Sequence, residues 1–110
     1  MEIGALVATK LTKWESAVHA ENLGCDFCWM TDSPMIRSNV WAVMALVAHQ
    51  TQRLRIGTGV AVPGLRLAPV AANGTATINR LAPGRCFIGL GTGNTAMRML
   101  GHPPAKVAEF

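Results

Sequence analysis

Gly24-Cys25-Asp26-Phe27-Cys28-Trp29-Met30-Thr31-Asp32-Ser33-Pro34 is the stretch whose reading decides the fold. Its centre, Phe27 to Met30, is apolar without alternation. That predicts a strand covered on both faces, the kind found in parallel sheets. Gly24 suits the end of a preceding helix, where a left-handed residue closes the last turn. Asp32-Ser33-Pro34 is turn chemistry. A helix stop, a buried strand and a turn in this order are the core of an α/β unit.

The same unit recurs on either side. Upstream, Ile3 to Ala8 is a short apolar run, and Thr12-Lys13-Trp14-Glu15 fits a capping box at a helix start. Trp14, Ala17, Val18 and Leu23 then share one apolar face. Downstream, Asn39 to Gln50 is a helix apolar almost all round, which predicts burial by the sheet and by something else. Leu54 to Val62 reads as a third strand interrupted by Gly57 and Gly59, and Pro63-Gly64 opens a loop. Pro69 starts a third helix running to about Leu81, with Gly74 weakening its centre. Pro83-Gly84 stops it. Arg85 to Leu90 is a fourth strand, and Gly91-Thr92-Gly93-Asn94-Thr95 leads into a fourth helix. The order β-α-β-α-β-α-β-α implies parallel strands joined by helical crossovers. Two architectures carry that order: an open doubly wound sheet, or part of an eight-stranded barrel.

The chain has 110 residues, 50% of them hydrophobic and 15% charged, which excludes a disordered chain and allows one domain at most. Its longest apolar run, Val40 to Ala48, falls well short of the roughly 20 residues that cross a bilayer. No secretory leader pattern opens the sequence, so a soluble cytoplasmic protein is expected. The net charge of +4 is scattered along the chain, and Tyr is absent. Neither a basic stripe nor a base-stacking platform is present, which argues against nucleic acid as a partner and leaves a mildly basic surface or a small anionic ligand. Three cysteines are too few, and odd in number, for a disulfide framework. Cys25 and Cys28 lack the second pair that a zinc site needs, so the thiols are expected in the core with no chemistry. His19, His49 and His102 fall in no metal-ligand spacing, and no metal is expected.

In both architectures ligands bind at the carboxyl ends of the strands. Those ends carry Asp32 and Ser33, then Gly59 and Val60, then the loop Gly91 to Ala96, whereas the opposite ends carry Asp26, Arg53, Arg55 and Arg85. Glycines in Gly89-Leu90-Gly91-Thr92-Gly93 let backbone N–H groups approach a ligand, and a helix start that follows favours a phosphate. The spacing departs from a dinucleotide fingerprint, and no Gly-Lys-Ser/Thr follows to make a Walker loop. A glycine turn that only joins strand to helix is the competing reading. Asp32 reads equally as a strand-end carboxylate facing a site and as a turn residue.

Several blocks taken together resemble the luciferase-like monooxygenase superfamily: Ala20-Glu21-Asn22-Leu23-Gly24-Cys25-Asp26, Trp29 to Ser33, Thr51 to Val60, Ala76 to Arg85 and Gly89 to Ala96, with Arg98, Leu100-Gly101 and Pro104-Ala105. The wording is similar to the reductase branch of methylenetetrahydromethanopterin reductases, which use the deazaflavin coenzyme F-420. The resemblance implies the N-terminal half of a (β/α)8 TIM barrel, with residues 1–110 a single partial domain. A full barrel needs about 250 residues, and half a barrel leaves two strand edges unpaired.

The resemblance further implies a site. Thr58, Gly59 and Val60 would contribute a non-prolyl cis peptide, Gly59-Val60, as a backstop behind the cofactor ring. Gly91, Gly93, Asn94, Thr95 and Ala96 would seat its phosphate and tail. Asp32 and Ser33 would lie beside the ring, Asp32 as the catalytic candidate for proton handling or hydrogen bonding. Three departures from the family wording keep FMN as the alternative to coenzyme F-420: Arg66-Leu67-Ala68-Pro69 stands where Arg-His-Pro is frequent, Asn94-Thr95 where Asp-Ser is, and Ser33 where many members have His. The implied activity is hydride transfer between reduced coenzyme and a small organic substrate. An FMN-dependent monooxygenase, a catalytically inactive half-barrel that only oligomerises or weakly holds cofactor, and a Rossmann-like nucleotide-binding domain are the alternatives. The expected partners are a substrate and either a second copy or the remainder of a longer chain, with no membrane.

Overall fold

The computed structural model describes residues 1–109. Four strands, β1 (Gly4–Val7), β2 (Phe27–Met30), β3 (Arg55–Ala61) and β4 (Cys86–Leu90), alternate with four helices, α1 (Glu15–Asn22), α2 (Val40–Gln50), α3 (Ala68–Leu81) and α4 (Asn94–Met99). The sheet is parallel throughout and its order is β1-β2-β3-β4. This order separates the two architectures. A doubly wound sheet reverses direction at a switch point. Strands added always on the same side, each through a right-handed crossover, put every helix on one face and curl the sheet as in a barrel.

That one-sidedness corrects the reading of β2. Cys28 and Met30 face the helices and are fully buried, whereas Phe27 and Trp29 on the other face are only half-buried. The same alternation runs across the sheet. Met30 and Thr58 lie in register on the helix side, and Leu6, Trp29, Gly57 and Phe87 lie in register on the inner side. Nothing among the described residues roofs this inner face, and Leu6 is 69% exposed. Its aromatics cover one another instead: Phe27 stacks on Trp29 at 5.5 Å, Phe87 meets both edge-on, and the Arg55 guanidinium sits 3.7 Å from the Phe27 ring centre. Gly57 does not interrupt β3. A Cβ there would lie 2.2 Å from the Phe87 ring, so the glycine is the space into which Phe87 packs.

The core lies between sheet and helices, built from Val7, Ala17, Cys28, Met30, Val43, Met44, Val47, Leu54, Ile56 and Ile78. The nearly all-apolar α2 is covered by the sheet on one side and by the flanking α1 and α3 on the others. Asn39 caps it, its side chain accepting from the Ala42 N–H at 3.2 Å. Gly74 does more than weaken α3: a Cβ there would approach the Trp41 ring to 2.9 Å, so the glycine lets α3 close on α2.

The capping box expected at Thr12 does not form. The Leu11 N–H donates to the Ser38 hydroxyl, residues 11–13 make a single 3-10 turn, and α1 starts at Glu15 without a side-chain cap. Its far end follows expectation: Gly24 has φ +92°, and the N–H groups of Gly24 and Cys25 donate to Glu21 and Ala20 carbonyls, a Schellman closure. Leu23, expected on the apolar face, is instead exposed, because the closing turn carries it away from the sheet.

The amino ends of the strands are fastened by charge. The Glu21 carboxylate accepts from the backbone N–H groups of Gln52, Arg53 and Leu54 at 2.7 to 3.2 Å. Arg85 donates to the Ala48, Thr51 and Leu54 carbonyls and to the Thr51 hydroxyl at 2.9 to 3.0 Å, closing the end of α2 onto β3 and β4. Among the described residues no helix is long and apolar enough to cross a membrane.

Candidate cofactor cleft

The carboxyl ends of β2, β3 and β4 converge on a cleft of about 350 Å³. Thr31, Asp32 and Ser33 line it from the end of β2, Gly59, Val60 and Val62 from β3, and Gly91 to Ala96 from the loop after β4. Every residue expected at the site lies here except Thr58. Thr58 is fully buried on the helix side, and its hydroxyl donates to the Gly89 carbonyl and accepts from the Gly89 N–H. It holds β3 to β4 and cannot reach a ligand. Thr31 and Val62 are lining residues that sequence reasoning passed over, and Thr92 lies within the loop it singled out.

Local geometry explains the glycines. The register between β3 and β4 shifts between Thr58 and Ala61, and the Gly59–Val60 peptide within that bulge is cis. Val60 is 39% exposed and forms an apolar wall of the cleft. Gly89 and Gly91 run close beneath: a Cβ on Gly89 would lie 2.5 Å from the Thr58 carbonyl oxygen, and one on Gly91 would lie 2.3 Å from a Val60 methyl. Gly93 at φ +76° turns the chain into α4. Asn94, Thr95 and Ala96, the first residues of that short helix, line the cleft, and their N–H groups have no helical partner. Asn94 also accepts from Arg98 Nε at 2.6 Å, which fixes the loop.

Asp32 differs most from its expected role. Its side chain is 2% exposed, and both carboxylate oxygens accept from Arg66, Oδ1 from Nη2 at 2.9 Å and Oδ2 from Nη1. A carboxyl group gripped at both oxygens is held in one orientation and turns only an edge to the cleft. Arg66 was seen in the sequence only as part of a divergent Arg-Leu-Ala-Pro. The available signal was a cation just beyond the end of β3, opposite a strand-end acid. The Trp41 ring stands 6.0 Å from the guanidinium, and its buried Nε1 has no partner among the described residues.

The thiols play no part here. Cys28 is buried against the helices, and burial, with Cys25 nearby, pushes its thiol up to about 12; burial also raises Cys86. His19 and His49 are exposed on α1 and α2, and no cluster of metal-ligating side chains occurs among the described residues. A larger groove of about 830 Å³ runs along α3 and β4 on the helix side, lined mainly by apolar side chains, with small alanines from α3 facing Ile88 and Leu90. It is apolar and sits behind the sheet, so it is a packing surface rather than the site.

A sequence model described as "Luciferase-like monooxygenase" matches residues 12–109. The chain is 42% identical over 85 residues to an F-420-dependent glucose-6-phosphate dehydrogenase of Kineococcus radiotolerans, covering 70% of this chain and 25% of that protein. It is 35% identical over 77 residues to a 5,10-methylenetetrahydromethanopterin reductase of Methanolobus tindarius, covering 70% of this chain and 23% of that protein. The solved structure of the coenzyme F-420-dependent tetrahydromethanopterin reductase of Methanopyrus kandleri superposes with a TM-score of 0.83 at 25% identity, over 93% of this chain and 30% of that one. The FMN-bound oxygenating constituent of 3,6-diketocamphane monooxygenase from Pseudomonas putida superposes at 0.78 with 20% identity, a likeness of fold. The chain matches about a quarter of the length of these curated relatives.

Proposed function

The chain belongs to the luciferase-like monooxygenase family, and from that premise we propose that it forms the cofactor-holding half of an oxidoreductase that uses coenzyme F-420. The reaction proposed is hydride transfer to or from a small organic substrate, in the cytoplasm. The observation that carries this reading is the convergence of three strand ends on one cleft that sets an apolar surface, Val60, beside the glycine-rich loop Gly91 to Ala96. Such a cleft suits a ligand with a flat ring and an anionic tail: the ring would lie against Val60, and the tail would meet the loop's backbone N–H groups and the hydroxyls of Thr92 and Thr95. Deazaflavin is favoured over FMN because the relatives that share 42% and 25% identity are F-420-dependent, against a fold likeness alone for the FMN-bound protein.

When bound, the coenzyme supplies the hydride chemistry; the protein orients it and shields it from water. In this chain Val60 closes one face. Ser33 offers a hydroxyl at the ring edge, and Asp32 a fixed negative charge behind it. Substrate groups would come from the rest of a longer chain or from a second copy, because among the described residues β1 and β4 each keep one edge unpaired. Titration of the purified chain with coenzyme F-420 and, separately, FMN tests the reading through cofactor fluorescence. Saturable quenching by F-420 at lower concentration than FMN is expected. The reverse order would make it an FMN monooxygenase half, and binding of neither would leave an inert half-barrel. That last outcome is the second reading, and the open inner face with Leu6 exposed favours it.

A further inference from the structure

Asp32 and Arg66 are 34 positions apart, on the loops that follow β2 and β3, and they meet as a nearly sealed ion pair with side chains 2% and 16% exposed. Asp32 lines the cleft, while Arg66 lines the larger groove behind it. The pair therefore forms the partition between the two. Its guanidinium comes from a segment with little regular structure, between the 3-10 turn Pro63–Leu65 and α3. Among the described residues no other side-chain hydrogen bond or ion pair ties that segment to the end of β2.

We propose that Arg66 is a positioning residue for the cleft: through the two-point grip on Asp32 it sets the end of β2 against the β3 bulge, and Asp32 serves as a fixed charged wall rather than a proton carrier. The geometry supports this in two ways. A planar guanidinium holding both oxygens of a carboxylate fixes orientation as well as distance, which a single contact does not. With both oxygens accepting from one partner, the carboxylate is turned toward Arg66 and presents only an edge to the cleft. The proposal rests on the cofactor reading for its consequence, though not for its geometry.

Two variants test it. Arg66→Lys keeps the charge but not the fork. Asp32→Asn combined with Arg66→Gln removes both charges, so that neither is left buried alone, the arrangement most prone to unfolding. Backbone amide signals are followed by NMR on the 110-residue chain, with circular dichroism to confirm folding. Positioning predicts that both variants shift the amides of Thr31, Ser33 and Val60. It also predicts weaker binding of F-420 or FMN by about tenfold or more, the scale seen when a group that orients a ligating side chain is removed. Shifts confined to Trp41 and residues 65–67, or unchanged affinity in a variant whose parent binds, would overturn it. So would a folded parent with both variants unfolded, since the pair would then be only a staple. If the parent binds neither cofactor, the cofactor reading fails, and the amide shifts alone decide the positioning.

Discussion

Replacing Arg85 with Met removes one guanidinium and leaves the end of α2 without its closure. The side chain donates four hydrogen bonds, three of them to the carbonyls of Ala48, Thr51 and Leu54. A hydrogen bond from a charged donor contributes about 1.5–3 kcal/mol, and roughly half of that is recovered where water reaches the freed carbonyl. Arg85 is half-buried, so a value of about 1 kcal/mol per bond gives roughly 4 kcal/mol in all. For a domain whose total stability is about 5–15 kcal/mol this is a large fraction, and at about 4 °C per kcal/mol it lowers Tm by on the order of 15 °C. Thermal unfolding by circular dichroism, repeated with urea, measures it. Arg85→Lys should recover less than half, since one ammonium cannot span three carbonyls. A loss below about 4 °C for Arg85→Met would refute the reasoning, by showing that the carbonyls are satisfied by water at little cost.

Glu21→Gln should destabilise the chain by about 1–2 kcal/mol near neutral pH, read as the urea midpoint. Burial alone would raise the Glu21 carboxyl, but the N–H groups of Arg53, Gln52 and Leu54 and the charge of Arg53 outweigh it and hold it below its ordinary value. Its contribution is therefore complete above the unfolded carboxyl range and fades as pH falls through the folded value, and the glutamine variant should lack that acid-side slope. Gly57→Ala puts a Cβ 2.2 Å from the Phe87 ring; forcing that ring aside should cost about 1–3 kcal/mol, and an unchanged melting curve with an unaltered aromatic circular dichroism signal would contradict it. Cys28 should resist a thiol reagent at pH 8 in the folded chain and react on unfolding, because burial keeps its thiol protonated up to about 12.

The elements were legible because their punctuation is local. Gly24, Asn39, Pro69 and Pro83-Gly84 mark ends through their own backbone preferences, and each lies at or beside an observed boundary. The misread features depend on residues distant in the chain. Thr12 has the right neighbours for a capping box, but Ser38 takes the adjacent N–H from across the loop. Phe27 to Met30 looks covered on both faces because an inner barrel face is as apolar as an outer one, and only the strand order shows that one side lacks its opposite strands. At the site, a strand-end acid and a glycine loop stand out by composition. The partner of that acid lies 34 positions away, and no spacing rule connects them.

Glu21 and Arg85 fasten one end of the sheet, and the cleft opens at the other, a full strand length away. Substitutions in the loops at 32–33, 66–68 and 92–95 leave those fastenings untouched, and well-separated changes add with little coupling. Those same loops hold the departures from the family wording. Apart from the Asp32–Arg66 pair and Gly93, which the local fold itself needs, the open end can change its side chains while the strands keep their register.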